Sequence, residues 1–210
     1  MNRKRVVLAA GLLAVSALLC SCGVIASVGI ERAKYTVLAE RGQLEVRRYA
    51  PQIVAETVVE ADFDEAGNIA FDRLYGYISG KNRTQKSIAM TAPVEQQRSE
   101  KIAMTAPVAQ VEADGRYSVS FLMPATYTME TLPAPLDPAV SLREIPARKM
   151  AALRYSGTWS RKRYERKRES LEQFIAERGL TIIGPAVFAR YDPPFQPWFL
   201  RRNEVLIPVE

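Results

Sequence analysis

Histidine is absent from the whole 210-residue chain. Without an imidazole the chain has no Ser-His-Asp or Cys-His nucleophile system, which excludes the hydrolases that depend on one. Zinc sites with histidine ligands are excluded for the same reason. The function must therefore rest on other polar groups or on apolar binding surfaces.

Cysteine is also scarce, since Cys20 and Cys22 are the only two and both lie near the N-terminus. They follow a basic start and an uncharged apolar run, Val6–Leu19, which is too short for a comfortable membrane-spanning helix. Ser21 stands directly before Cys22, and Leu19 lies three positions ahead of that cysteine. This pattern resembles the lipobox of bacterial lipoproteins.

The lipobox resemblance implies cleavage before Cys22 and a diacylglycerol on its sulfur. Residues 1–21 would then be a lipoprotein signal peptide and residues 22–34 a tether, with no free thiol left for other chemistry. Gly23 is not the aspartate associated with retention in the inner membrane. We therefore expect a lipid-anchored protein of the cell envelope, on the periplasmic face of the outer membrane in a Gram-negative organism. An uncleaved signal anchor or a plain secretory signal is the alternative.

A strong excess of one charge is missing as well. The net charge is +6, and removal of the signal segment with its three basic residues leaves 26 basic and 23 acidic residues. This balance is too mild to indicate nucleic acid as a partner. With 48 % hydrophobic and 25 % charged residues, the chain has the composition of a globular domain with its own core.

The clearest pattern that is present is a repeat. Ser87–Val94 and Lys101–Val108 both contain Ile-Ala-Met-Thr-Ala-Pro-Val. The alternation predicts two β-strands, each ending at a sheet edge or bulge because proline cannot donate to a ladder. The strands would bring Met90 and Met104 to comparable depth, and methionine adapts to irregular apolar shapes or a flat ligand. Two ordinary core strands would give the same pattern.

The repeated heptapeptide resembles the signature of the SOUL heme-binding protein family. Arg190–Pro194 and Pro197–Val205 resemble the same family, as do Phe121–Pro124 and Leu132–Pro135 between them. These motifs occur in the family's order over Tyr35–Val209, and the expected SOUL-like domain is residues 35–210. The resemblance implies a distorted barrel with two flanking helices, and a non-enzymatic protein whose ligand is heme or another tetrapyrrole.

The residue pattern predicts a matching architecture, because the order strand, helix, strand, strand occurs twice. The predicted elements are Ile53–Glu60, Asp64–Ser79, Ile88–Val94 and Ile102–Val108, then Lys149–Tyr155, Ser160–Arg178, Leu180–Tyr191 and Asn203–Val209. This order predicts a pseudo-symmetric α+β fold, a curved antiparallel sheet with two helices packed outside. Together with the resemblance, it implies a distorted antiparallel β-barrel of two pseudo-symmetric β-α-β-β halves with two flanking helices. Asp62 and Glu65 form a capping-box-like start for the first helix. The apolar positions predict buried stripes on both helices: Ala66, Ala70, Leu74, Tyr77 and Ile78 on the first, and Tyr164, Leu171, Phe174 and Ile175 on the second. The proline-rich segment 131–138 is expected to be a loop.

The first helix carries the main candidate site. Phe71 and Tyr75 lie one turn apart on it, outside its buried stripe, and Asn68 precedes them by three residues. The resemblance implies a tetrapyrrole pocket at this helix, where an aromatic platform and cations for the propionates are needed. Some relatives carry a basic residue at the position of Asn68, and we expect Arg48 or Arg73 to replace it. Ordinary core aromatics would give the same pattern.

Arg48 also occupies the position at which some relatives have a histidine proposed as an axial iron ligand. Any heme must then be held by packing, or by a Met, Tyr or Lys side chain. No catalytic or metal-ligating residue is expected. The predicted cofactor-binding residues are Arg48, Asn68, Phe71, Tyr75, Met90 and Met104, and the predicted lipidation site is Cys22.

Two further charged features have alternative interpretations. Arg161–Arg163 and Arg166–Arg168 make the second helix strongly basic, which fits either a solvated face or contact with anionic lipid headgroups. Glu204 lies within a predicted strand, and the effector-binding barrels that SOUL proteins resemble use a buried glutamate to recognise cationic ligands. A salt bridge from Glu204 to Arg201 or Arg202 is the simpler expectation.

The favoured hypothesis is a lipid-anchored protein that binds heme or another tetrapyrrole non-catalytically in an apolar pocket, without histidine ligation. One alternative is an envelope scaffold with a vestigial pocket, which a filled cavity would favour. The other is a hydrolase using an effector-type cavity, which Glu, Tyr and Trp side chains clustered at an open cavity would favour.

Overall fold

One antiparallel nine-stranded sheet organises the part of the chain that the computed structural model describes, residues 30–84, 99–113 and 115–210. In spatial order its strands are β10 (Val140–Ile145), β4 (Gln52–Val59), β8 (Arg116–Leu122), β7 (Val108–Ala113), β12 (Val187–Arg190), β13 (Asn203–Pro208), β11 (Arg148–Tyr155), β3 (Leu44–Tyr49) and β2 (Tyr35–Arg41). Two small pairs complete the described strands, β1 (Glu31–Arg32) with β6 (Thr105–Ala106) and β5 (Asn82–Arg83) with β9 (Ala134–Pro135).

The sheet consists of two similar halves that meet between β7 and β12. The first half is β4, helix α1 (Phe63–Ile78), β7 and β8, and the second is β11, helix α2 (Arg161–Glu177), β12 and β13. The strand that precedes each half pairs with the other half, because β3 lies beside β11 and β10 beside β4. The predicted α+β fold with two β-α-β-β halves is confirmed.

The strands of the first half are not those expected from the repeat. In the second copy only Thr105–Ala106 forms a short strand, and the sheet strand β7 begins at Val108. Pro107, which follows a cis peptide bond, has no N–H to donate and separates the two. The predicted strand Ile102–Val108 is therefore wrong, while the first copy lies outside the described residues.

Two other predicted boundaries need correction. The expected strand Leu180–Tyr191 is formed only at β12, because Pro185 interrupts the ladder and Ile182 makes a single bridge to Val209. The proline-rich segment 131–138, expected as a loop, contains β9. Both errors arise where proline positions decide the pairing.

Both helices bury the stripes that their periodicity predicts, and both pack on one face of the sheet. The buried positions are Ala66, Ala70, Leu74, Tyr77 and Ile78 on α1, and Tyr164, Leu171, Phe174 and Ile175 on α2. The predicted capping box is wrong, because Asp62 makes no side-chain cap bond. Burial of Phe63, whose ring packs against Tyr164 and Phe188, holds the start of α1 instead.

The opposite face of the sheet has a smaller core that includes Tyr49, Met150 and Tyr191. Ile30 and Ala33 pack against this second core. The end of the predicted tether 22–34 is therefore part of the domain, because its apolar side chains cover exposed sheet surface. Among the described residues no helix is both long and apolar enough to span a membrane, and the predicted lipidation site Cys22 lies outside them.

Candidate functional site

A cavity of about 570 Å³ lies beside α1, a size within the roughly 300–1,000 Å³ typical of small-molecule sites. Five parts of the fold form its wall: the start of the described chain at Ile30, α1, the segment around β6, the approach to α2, and the chain from the end of β12 onward. The side chains that define its chemistry are Asn68, Phe71, Met104, Trp159, Arg190 and Phe195. The cavity is mostly apolar, with aromatic rings contributed by three separate segments.

A second cavity of about 560 Å³ lies at the start of β4. Its wall carries charged side chains such as Glu31, Lys34 and Glu144, and Tyr127 is its one aromatic lining residue in the described chain. A flat apolar ligand fits the cavity beside α1 better, because stacking and burial are both available there.

Phe71 is the aromatic platform of the cavity beside α1. Its ring meets Phe121 edge-on at 5.4 Å on one side and stacks on Tyr75 at 5.8 Å on the other. Tyr75 is 51 % exposed and does not line the cavity. Residues four positions apart are neighbours on a helix surface, so the Tyr75 ring covers the outer side of the Phe71 ring. Tyr75 therefore supports Phe71 and is not placed for direct contact with a ligand in the cavity.

Arg190 supplies the cation of the cavity wall. Its guanidinium carbon lies 4.8 Å from the ring centroid of Phe188 and 5.1 Å from that of Trp159, and its Nη2 donates to Gln110 Oε1 at 3.1 Å. On the helix side, a Cβ on Gly67 would lie 2.9 Å from Arg190 Nη1. The glycine therefore leaves the space that the guanidinium occupies.

The structure separates the other expected cations from the cavity. Arg48 is exposed on β3, two strands beyond β13 in the sheet, and Arg73 does not line the wall either. The basic residue at the site is Arg190, which was recognised in the sequence only as the first residue of a family motif. Its position directly before Tyr191-Asp192-Pro193 was the available signal.

Of the other predicted binding residues, Asn68 and Met104 line the cavity together with Phe71, and Met90 lies outside the described residues. Met104 is 37 % exposed and brings a thioether sulfur to the wall. Asp72 and Asp192 also line it, so carboxylates lie near the one cation of the described wall. Asp192 accepts the backbone N–H of Arg202.

Glu204 is the fully buried centre of a polar cluster on the sheet, and one member of this cluster, Tyr191, also lines the cavity beside α1. Arg47 binds it with both guanidinium ends, Nη1 to Oε2 at 2.7 Å and Nη2 to Oε1 at 3.0 Å. Arg202 Nη2 donates to Oε1 at 2.7 Å, and the Tyr191 hydroxyl donates to Oε2 at 2.7 Å. The expected bridge to Arg202 is present, and Arg201 instead donates to carbonyls of the loop before it.

The electrostatics of this cluster follow from burial and pairing. Burial alone raises the pKa of Glu204, but the hydrogen bonds and charges of Arg47 and Arg202 outweigh it, so the pKa is lowered. Burial raises the pKa of Tyr49 to about 12 and that of Tyr191 well above its ordinary value. Glu204 is therefore an anion whose charge is satisfied within the protein, and it is not open to a cationic ligand.

These features define a class of protein, an antiparallel half-barrel with two helices and an aromatic-lined cavity whose wall includes the guanidinium of Arg190. The family model described as SOUL heme-binding protein matches residues 30–208. The chain therefore belongs to the SOUL heme-binding protein family.

Individual relatives are distant. Heme-binding protein 2 of Mus musculus is 26 % identical over 173 residues, covering 78 % of this chain and 80 % of that protein. Heme-binding protein 2 of Homo sapiens is 44 % identical over 54 residues, which cover 25 % of this chain and 26 % of that protein.

Solved structures support the fold. The EcmrR C-terminal domain has a TM-score of 0.57 at 11 % identity, with 80 % of this chain and 97 % of that chain covered. A structure described as a hydrolase from Listeria innocua has a TM-score of 0.52 at 12 % identity, covering 82 % of this chain and 94 % of that chain. At such low identity these similarities show the fold alone.

Proposed function

We propose that this protein binds heme or another tetrapyrrole non-catalytically in the cavity beside α1, while a lipid on Cys22 holds it at the envelope membrane. One observation carries the ligand proposal. The cavity of about 570 Å³ combines the rings of Phe71, Trp159 and Phe195 with the cation Arg190. A flat apolar macrocycle with carboxylate arms needs this combination of surfaces.

Each part of the wall has a role in holding such a ligand. Apolar burial against Phe71 supplies most of the binding free energy, because burial of apolar area is the dominant favourable term. Arg190 pairs with a propionate, and the Asn68 amide is placed at the wall to donate a hydrogen bond. Met104 adds a flexible, polarisable apolar surface to the wall. A bound heme would supply the redox chemistry of its iron.

Two observations disfavour the alternatives. A scaffold with a vestigial pocket predicts a filled cavity, whereas the cavity beside α1 is open. A hydrolase of the effector type needs Glu, Tyr and Trp side chains clustered at an open cavity. Tyr191 and Trp159 line the cavity beside α1, but no Glu lines its described wall. Glu204 instead is buried and bonded to Arg47, Arg202 and Tyr191.

Titration of the purified protein with heme and with iron-free protoporphyrin tests the ligand proposal. Since packing supplies the affinity, the two ligands should bind within about tenfold of each other, or roughly 1.4 kcal/mol. Phe71→Ala should weaken both alike. Tyr75→Ala is the matched control, an aromatic residue one turn away that lies outside the wall, and it should have a smaller effect.

Two results would contradict this binding mode. Heme binding far more tightly than the iron-free ring, together with loss of that advantage in Met104→Ala, would indicate iron coordination by the thioether. Failure of both ligands to bind above the level of an unrelated apolar surface would remove the ligand proposal and favour the scaffold.

A further inference from the structure

The most exposed apolar surface of the described chain lies beside the cavity mouth. Within six residues, Phe195 is 79 % exposed, Trp198 55 %, Phe199 58 % and Leu200 52 %. We refer to Phe195–Leu200 as the apolar loop. Single exposed apolar residues are normal, but a contiguous group of large ones marks a surface that meets another apolar phase.

The backbone of the apolar loop is held in place by hydrogen bonds. The N–H of Gln196 donates to Pro193 O at 3.1 Å, and the N–H of Leu200 donates to Pro197 O at 2.9 Å. Arg201 Nε donates to Gln196 O at 2.7 Å, and the Gln196 side chain is buried. The loop therefore presents its four large side chains on an ordered support, so they do not fold back onto the domain.

The N-terminal end of the domain emerges at the same place. Ile30, the first described residue, and Phe195 both line the cavity beside α1. Cys22 is eight residues before Ile30, and a chain extends at most about 3.3–3.6 Å per residue, so this stretch spans no more than about 29 Å. A lipid on Cys22 would therefore keep the apolar loop close to the bilayer. If the apolar segment ending at Leu19 is not cleaved, it would also keep the apolar loop close to the bilayer, with three more residues of chain in between.

We propose that the apolar loop inserts into the surface of the membrane to which the N-terminus is attached. Trp is enriched at the membrane–water boundary, and the apolar faces of interfacial segments, which carry Trp, Phe and Leu, enter it by about 5–10 Å. Because Phe195 belongs both to this loop and to the cavity wall, insertion turns the cavity mouth toward the bilayer. The proposal concerns a phospholipid surface and does not require a ligand in the cavity.

The two tryptophans of the chain, Trp159 and Trp198, provide the test. The full-length protein is reconstituted into phosphatidylcholine–phosphatidylglycerol vesicles, with or without lipids brominated on their acyl chains. Trp159→Phe leaves Trp198 as the single fluorophore, and Trp198→Phe leaves the half-buried Trp159 as the control. If Trp159→Phe does not fold, the difference between the wild type and Trp198→Phe reports the same emission.

We expect Trp198 emission to shift to the blue in vesicles and to be quenched most by bromines at shallow acyl positions. Trp159 should be quenched much less. Phe195→Ser combined with Phe199→Ser should reduce quenching of Trp198 without moving the protein off the vesicles.

Three results would overturn the proposal. Trp198 emission that stays at its aqueous wavelength without quenching means that the loop remains in water. A blue shift without quenching means that a second copy of the chain covers the loop. A full-length chain that does not float with vesicles is not attached to a membrane at all.

Discussion

Gly67 sets how closely α1 approaches the cation of the cavity. Glycine inside a helix is less favourable than alanine by roughly 0.5–1 kcal/mol, so its presence requires a local reason. The reason here is space, since a Cβ would lie 2.9 Å from Nη1 and 3.3 Å from Nη2 of Arg190. The end of an arginine side chain moves easily. Crowding it therefore displaces the guanidinium without damaging the core.

This arrangement predicts opposite effects of Gly67→Ala on folding and on binding. The free energy of unfolding should stay level or rise slightly, because alanine is the better helix former. Affinity for a porphyrin dicarboxylate should fall by about tenfold, as expected for a weakened charge-assisted hydrogen bond of roughly 1.4 kcal/mol. Urea denaturation and fluorescence titration measure the two effects.

Gly76→Ala is the matched control, since it makes the same change in the same helix. Its added Cβ would meet the flexible Lys81 side chain at 3.1 Å and not the cavity. It should leave affinity unchanged. The dimethyl ester of the porphyrin, which lacks free carboxylates, should lose less affinity in Gly67→Ala than the diacid. Equal losses would show that Arg190 does not recognise the carboxylates.

The burial of the Glu204 carboxylate predicts a large loss of stability when its charge is removed. In Glu204→Gln the buried Arg47 loses the fully buried one of its two carboxylate partners. Breaking a buried ion pair from one side costs about 3–5 kcal/mol. Glu45→Gln is the matched control, because Glu45 also pairs with Arg47, at 2.7 Å, but its side chain is 21 % exposed. The control should cost much less. Similar urea midpoints for both variants would contradict the central role of Glu204.

The same pair predicts how stability depends on pH. Because the folded-state pKa of Glu204 is lowered from its ordinary value of 4.5, its contribution is present above that value. The contribution is lost as the pH falls through the lowered folded-state pKa, where the carboxylate takes up a proton. Wild-type stability should therefore decrease in acid more steeply than that of Glu204→Gln. Urea midpoints measured across this pH range give the comparison.

Residue-scale features were the least predictable from the sequence. Arg47 stands between Val46 and Arg48 in a strand whose charged positions look solvent-exposed, and its partner Glu204 is 157 positions away. No local pattern joins two such residues. Phe71, Asn68 and Met104 were identified as candidates because they belong to a helix face and a repeated motif, and the fold brings all three to one wall.

The N-termini of the two helices are stabilised in different ways. Ser160 Oγ accepts the backbone N–H of Arg163 at the start of α2, whereas Asp62 makes no such bond at α1. Loss of an N-cap side chain typically costs about 1 kcal/mol. Ser160→Ala should therefore destabilise the protein by about that amount, and Asp62→Ala by clearly less. Chemical denaturation measures the free energy of unfolding of both variants. An equal loss of stability would contradict the conclusion that Ser160 caps its helix and Asp62 does not.

Helix periodicity is a reliable signal because every buried face repeats within one element. The nine buried positions predicted for α1 and α2 are all buried. Strand pairing needs more information, since it depends on which distant segment provides the ladder. Pro107 and Pro185 interrupt ladders that alternation alone predicts to continue.

The basic helix α2 shows how pairing modifies a charge pattern. Arg161 contacts Glu112 at 3.1 Å, and Arg168 contacts Glu165 at 2.9 Å, so part of its charge is compensated at the surface. Arg166 and Lys167 belong to a separate basic depression next to Tyr155. Contact of this helix with anionic lipid therefore stays a prediction that concerns these two residues more than Arg161.

At the scale of the whole molecule, the repeated order of strands and helices was sufficient to predict the two-half architecture, although the strand Ile102–Val108 of the first half was assigned wrongly. Each half lends a strand to the other, through β3 and β10. This exchange ties the halves into one sheet. Sequence order alone cannot predict it, because the partners are far apart in the chain.

The position of Ile30 gives the proposed lipid anchor a structural consequence. Cys22→Ala should leave an unlipidated precursor, whereas Cys20→Ala should still be lipidated, because only Cys22 follows a small residue with Leu19 three positions ahead. Mass spectrometry of the membrane fraction distinguishes the two variants, and normal lipidation of Cys22→Ala would contradict the anchor. Since about 29 Å of chain is the most that separates Cys22 from Ile30 at the cavity wall, a lipid on Cys22 would keep the cavity at a membrane surface.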